Sequence, residues 1–126
     1  MVILTGYNSA RHVETLKDVA RKFTKRRAIK VWALSEHEVV TDLGDLDDHE
    51  VRWETSILLY LRPDLVDMSQ LSPDMSIDGE DPRKKISPDL GREIVEAIVD
   101  RIAGKVGEML QDVDEEIQAP EGKPNA

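Results

Sequence analysis

Val2-Ile3-Leu4-Thr5-Gly6-Tyr7-Asn8-Ser9 and Ala28-Ile29-Lys30-Val31-Trp32-Ala33-Leu34 are the two stretches whose reading decides the fold. The first is a short apolar run leading into turn-forming residues, which predicts a buried strand and a turn. The second is rich in β-formers and predicts another strand over 28–34. Between them Val13, Leu16, Val19, Ala20 and Phe23 recur at helical spacing, so residues 10–26 form a helix with one apolar stripe. Asn8 or Ser9 can cap it, because a short polar side chain accepts from the free N–H groups of a first turn. Strand, helix and strand at this distance make a βαβ unit with parallel strands and a right-handed crossover. The fold class is therefore α/β.

Working outward, residues 35–50 are polar and acidic, with Gly44 as a break and Val39-Val40-Thr41 as a short extended piece. A helix is predicted over about 50–61, with Trp53, Ile57, Leu58, Tyr60 and Leu61 on its packed side. Arg62-Pro63-Asp64 ends it, since proline disfavours helix in the residue before it. Residues 67–86 hold few apolar anchors and predict a long loop. Ser87-Pro88 then starts a helix well, as cap and first helical residue. Leu90, Ile94, Ile98, Ile102, Val106 and Leu110 continue it. Gly91, Gly104 and Gly107 either weaken that helix locally or let a neighbour approach closely. One domain over 1–117 and a disordered tail over 118–126 follow.

Two strands and three helices do not close a three-layer domain, because parallel sheets are normally buried on both faces and contain several strands. The expected architecture is thus a partial three-layer αβα sandwich. The first strand begins at residue 2 with nothing ahead of it to cover its edge. The remaining strands are expected from another chain, or the sequence is the C-terminal piece of a longer ancestor. An uncovered edge also favours self-association.

Composition narrows the function. With no cysteine, disulfides, thiolate metal sites and a cysteine nucleophile are excluded. No apolar run approaches the roughly 18 residues of a spanning helix, and the N-terminus lacks the form of a signal peptide. A cytoplasmic protein is expected. The net charge of −9 repels nucleic acid and anionic membrane, so neither is an expected partner. The local exception is Lys22, Lys25, Arg26, Arg27 and Lys30. This is either an anion patch or a basic helix end that complements the helix dipole, and the second is preferred because no stacking aromatics accompany the charges.

The phosphate-loop, dinucleotide, nucleophile-elbow and HExxH signatures are absent. The informative segment runs from Asp48-His49-Glu50-Val51-Arg52-Trp53-Glu54-Thr55-Ser56 to Leu59, Leu61 and Pro63-Asp64-Leu65-Val66-Asp67. It resembles the creatininases (creatinine amidohydrolases), whose C-terminal half carries a pattern like H-x-G-x-x-E-T-S-x-x-L-x-L-x-P-D-L-V-D. Residues 2–10 look like that family's strand and turn, which end in an N-G-H-x-x-N element. Ser87 to Leu110 looks like its final helix. The resemblance spans nearly the whole chain but only the C-terminal half of the family's domain.

What the resemblance implies is a creatininase-like hydrolase of cyclic amides or related C–N bonds, with a small-molecule amide as substrate. It implies His49 and Glu54 as catalytic residues, the His aiding proton transfer and the Glu close by. An imidazole titrates near neutral pH, and a neighbouring carboxylate raises its pKa and orients it. The family uses two divalent metals, zinc or manganese, to activate water and polarise an amide. Most of its ligands lie in an E-x-H-x-x-H...D segment that this sequence does not contain. Tyr7 stands at a ligand His, Ser9 at a ligand Glu, and Glu50-Val51 in the neighbourhood of the glycine after the catalytic-loop His. A phenol and a hydroxyl are poor replacements for imidazole and carboxylate at such metals. The chain alone is therefore expected to bind no metal and to need a homo-oligomer or a companion chain. The alternatives are a non-catalytic relative serving as an assembly or regulatory subunit, and an unrelated module binding cations through the acidic run 42–50. His49 is alternatively a solvated loop histidine, Thr55-Ser56 a capping or packing pair, and Trp32 and Trp53 packing residues. His12 and His37 are expected at the surface.

Overall fold

A computed structural model describes residues 1–6, 9–27, 29–43, 49–72, 74–76 and 79–118, with the side chains of 27, 49–51 and 113–118 outside that description. Strand β1 (Val2–Thr5) leads into helix α1 (Ala10–Arg27) and strand β2 (Val31–Leu34). The strands pair in parallel, with Val2 opposite Val31 and Thr5 opposite Leu34. The predicted βαβ unit is thus present, although its second strand starts at Val31, with Ile29 and Lys30 ahead of it. Ser9 caps α1: its Oγ accepts from the His12 N–H at 3.4 Å. Helix α2 (His49–Leu61) and helix α3 (Pro88–Gln118) follow. Ser87 caps α3 through its Oγ, which accepts from Leu90 N–H at 3.1 Å, and Pro88 fills the first helical position, where a missing N–H costs nothing. Residues 119–126, most of the expected tail, lie outside the described residues.

Two expectations need correction. Val39-Val40-Thr41 is not extended: 3-10 turns occupy Glu36–Val39 and Thr41–Leu43. Ser35 and Glu38 form a capping box that starts the first turn, and a local box of this kind outweighs the β preference of two valines. The packed side of α2 is also narrower than predicted. Trp53 and Ser56 are buried and Ile57 is half-buried, but Leu58, Tyr60 and Leu61 are exposed. The helices run antiparallel, with Ser56 against the first turn of α3 and Trp53 a turn further along against Ile94. Tyr60 and Leu61 therefore lie beyond the start of α3.

The main buried cluster sits in this helix pair. Val40, Trp53 and Ile94 form its centre, with Val39, Leu43, Ile57, Leu90, Ala97 and Ile98 packed around them. Arg101 ties α3 to the preceding turns by donating to the Val39 carbonyl at 2.7 Å and pairing with Asp42. By contrast Val2 and Ile3 of β1 remain 43% and 40% exposed. The sheet has two strands among the described residues; β1 is largely uncovered, whereas Ala33 and Leu34 of β2 are buried.

Lys17 of α1 pairs with Glu38, whose carboxylate also accepts from Ser35 N–H at 2.9 Å. Partial burial opposes the charged form of Glu38, but the Lys17 ammonium and the Ser35 N–H outweigh it and hold the carboxyl below its ordinary value. Asp42 is lowered by its hydrogen bonds from Arg101. A depressed carboxyl adds stability above the ordinary carboxylate range, and that stability is lost as pH falls through the depressed value. The urea midpoint is therefore expected to hold steady near neutrality and to drop on the acid side. Glu38→Gln with Asp42→Asn should flatten that drop, and an unchanged acid limb would remove both carboxylates from the account.

Candidate functional site

Helix α2 carries the candidate catalytic pair. His49 is its first residue, and the His49 side chain lies outside the described residues. Glu54 is exposed and has no hydrogen-bond or ion-pair partner among the described residues. The rest of the resembling segment is legible as structure. Ser56 is fully buried, and its Oγ accepts from Ser87 N–H at 3.2 Å, so it joins the middle of α2 to the start of α3. Pro63–Leu65 forms a 3-10 turn beyond α2. Arg62 holds Asp64 through two hydrogen bonds of 2.9 and 2.7 Å, which depress the Asp64 carboxyl. Asp67 accepts from both the side chain and the N–H of Ser69, at 2.6 and 3.0 Å, and caps the turn Met68–Gln70. Ser56→Ala would leave the half-buried Ser87 N–H without its acceptor. It is expected to cost about 1–3 kcal/mol in chemical denaturation. A neutral result would mean that water reaches this N–H.

At the positions where the resemblance places metal ligands, Tyr7 lies outside the described residues and the Ser9 hydroxyl is engaged as a helix cap. Among the described residues no group of three or more His, Asp or Glu side chains could hold a metal ion. The donors described here therefore do not fit a two-metal centre. Most of the acidic run 42–50 lies outside the described residues, and its first member, Asp42, is committed to Arg101.

His37 departs from expectation. It is half-buried and stacks on Trp53, with ring centroids 5.3 Å apart and planes 11° from parallel. Its Nδ1 is buried without a hydrogen-bond partner among the described residues. Trp53 is a core residue, as expected.

A second feature was hidden in the sequence. Between α1 and the far end of α3 lies a groove of about 520 Å³ whose floor is β2. Lys17, Arg21, Lys25 and Lys30 line it, together with Trp32 and Met109. Of the basic cluster that was read as lacking an aromatic neighbour, only Lys25 and Lys30 line this groove, and β2 brings Trp32 into it. The signal was present in the spacing of Lys17, Arg21 and Lys25, which recur every four residues along one helix face. No helix among the described residues is long and apolar enough to cross a membrane.

Comparison with protein-family models, with curated proteins and with solved structures gives no match.

Proposed function

We propose that this chain is a creatininase-family protein, related to metal-dependent amidohydrolases that cleave cyclic amides or similar C–N bonds, and that another chain completes its site. The observation that carries the reading is the run of residues shared with the family pattern: His49, Glu54-Thr55-Ser56, Leu59, Leu61 and Pro63 to Asp67. A parallel βαβ unit, a long final helix and a sheet of two partly covered strands support it, as pieces of a larger αβα sandwich. In this reading His49 relays a proton near the substrate, and Glu54, exposed five residues further along α2, is the second catalytic group. Zinc or manganese, when bound, activates water and polarises the amide. Its ligands come chiefly from the companion chain, because Ser9 offers a hydroxyl already used as a cap. The reading also puts the protein in the cytoplasm, in keeping with a chain without cysteine.

The test is coexpression with a short chain from the adjacent reading frame that carries E-x-H-x-x-H...D. The complex is expected to copurify with zinc or manganese and to hydrolyse a cyclic amide, and His49→Ala should abolish turnover while leaving the metal content unchanged. Absence of such a frame, or a complex without metal, would overturn the reading. A second reading, a non-catalytic relative used in assembly, is favoured by the structural employment of Ser9 and Ser56. It would stand if the complex forms and no hydrolysis depends on His49.

A further inference from the structure

The groove over β2 gathers charge that the helix dipole does not account for. Cations complement the dipole only within the last turn of a helix. Lys25 lies in that turn of α1, whereas Lys17 and Arg21 lie before it. All three share one helix face at four-residue spacing, where like charges repel and weaken the helix. Four of the described lining residues are cationic and none is acidic, on a chain of net charge −9. Carboxylates outside the lining answer three of the four: Glu38 pairs with Lys17, Asp18 with Arg21, and Asp112 with Lys30 at 3.4 Å. These pairs are partly exposed, and exposed pairs are weak enough to exchange partners. Lys25 has no ion-pair partner among the described residues.

Beneath these charges the groove is apolar. Ala20 and Ala33 are each 5% exposed, so methyl groups set its depth, and the half-buried Trp32 and Met109 border it. Lysine and arginine stems cover apolar surface while their heads stay in water, which puts the charge at the rim. Lys30 fixes the α3 wall, since its Nζ donates to the Met109 carbonyl at 3.3 Å. On the α1 side, Thr24 Oγ1 accepts from the Val31 N–H at 3.2 Å and keeps its own proton for another acceptor. The volume of about 520 Å³ suits a small molecule, and such sites combine an apolar body with a few placed polar groups.

We infer that this groove binds a small aromatic anion, its ring against Trp32 and Met109 and its charge on Arg21 and Lys25. A ring gains stacking on the indole, contact with the thioether and attraction to the cations above it, none of which an aliphatic body would gain in full. The anion relieves the repulsion along α1 and supplies Lys25 with a partner. None of these residues belongs to the run 49–67 shared with the amidohydrolases, so the site does not depend on that reading.

The probe is 1-naphthyl phosphate, titrated into the full chain labelled with nitrogen-15. A saturable shift of the Trp32 indole N–H is expected, that resonance being identified by its loss in Trp32→Phe. Inorganic phosphate and the uncharged 1-naphthalenemethanol each offer one part of the recognition, and both should bind at least about tenfold more weakly. Arg21→Gln with Lys25→Gln changes two exposed side chains. It should weaken naphthyl phosphate by a similar factor and leave the far-UV circular dichroism unchanged. The inference is overturned if the Trp32 indole does not respond, or if inorganic phosphate binds as tightly, which would leave a bare anion patch. It is equally overturned if the alcohol binds as tightly or the folded double variant binds like the parent, either of which would leave an apolar surface without charge selection.

Discussion

Gly91→Ala is expected to destabilise the protein by about 3 kcal/mol, at the upper end of what overpacking usually costs. A Cβ at this position would lie 1.9 Å from the Ser56 carbonyl oxygen and 2.4 Å from its carbon. Both are backbone atoms of α2, so no side-chain rotation relieves the clash and the two helices must separate. Separation also loosens Ser56 from Ser87 and Trp53 from Ile94, which belong to the same interface. Gly104→Ala and Gly107→Ala are the controls. Neither would meet any atom within 4 Å, so each should raise stability, by up to about 1 kcal/mol, through helix propensity alone. Urea denaturation of the three variants reads the contrast directly. A Gly91→Ala midpoint equal to the parent's would show that α2 and α3 do not cross there.

The second large effect is Trp53→Ala, with an expected loss of about 3–5 kcal/mol. Trp53 is 2% exposed and sits between Val40 and Ile94, so its removal opens a cavity at the junction of α2, α3 and the 3-10 turns. Against a total stability of about 5–15 kcal/mol for a typical domain, that loss brings the chain near unfolding. Far-UV circular dichroism at increasing urea would follow it. A double-mutant cycle with His37→Ala isolates the stacked pair, whose coupling should be about 0.5–1.5 kcal/mol. A coupling of zero would reduce the stack to mere proximity.

The candidate site was legible to different depths. Glu54 and its neighbours stood out because a long string of residue types matched a pattern. Three of those residues then proved to have local structural work: Ser56 at a helix contact, Asp64 with Arg62, Asp67 at a turn. A motif reports which residues occur together, and it does not separate those that fold the chain from those that face a substrate. His37 was placed at the surface because it falls in no ligand-like pair. Its burial comes from the packing of the Glu36–Val39 turn against α2, a contact between segments sixteen residues apart that no local pattern carries. The groove beside β2 was missed for the same reason, since α1, β2 and Met109 meet only in the folded chain.

The sequence by itself determined the elements: the βαβ unit, both helices after it, a cap at Asn8 or Ser9 and another at Ser87, and an acidic chain with too few strands to close a sheet. These follow from period, cap chemistry and strand count, which act over a few residues at a time. Tertiary structure alone decided which of three similar helical glycines is indispensable, which face of α2 is buried, and where the sheet stays open. Those are questions of which surfaces meet. Gly91, Gly104 and Gly107 carry the same absent side chain, and only the arrival of the Ser56 carbonyl at one of them gives that absence a consequence.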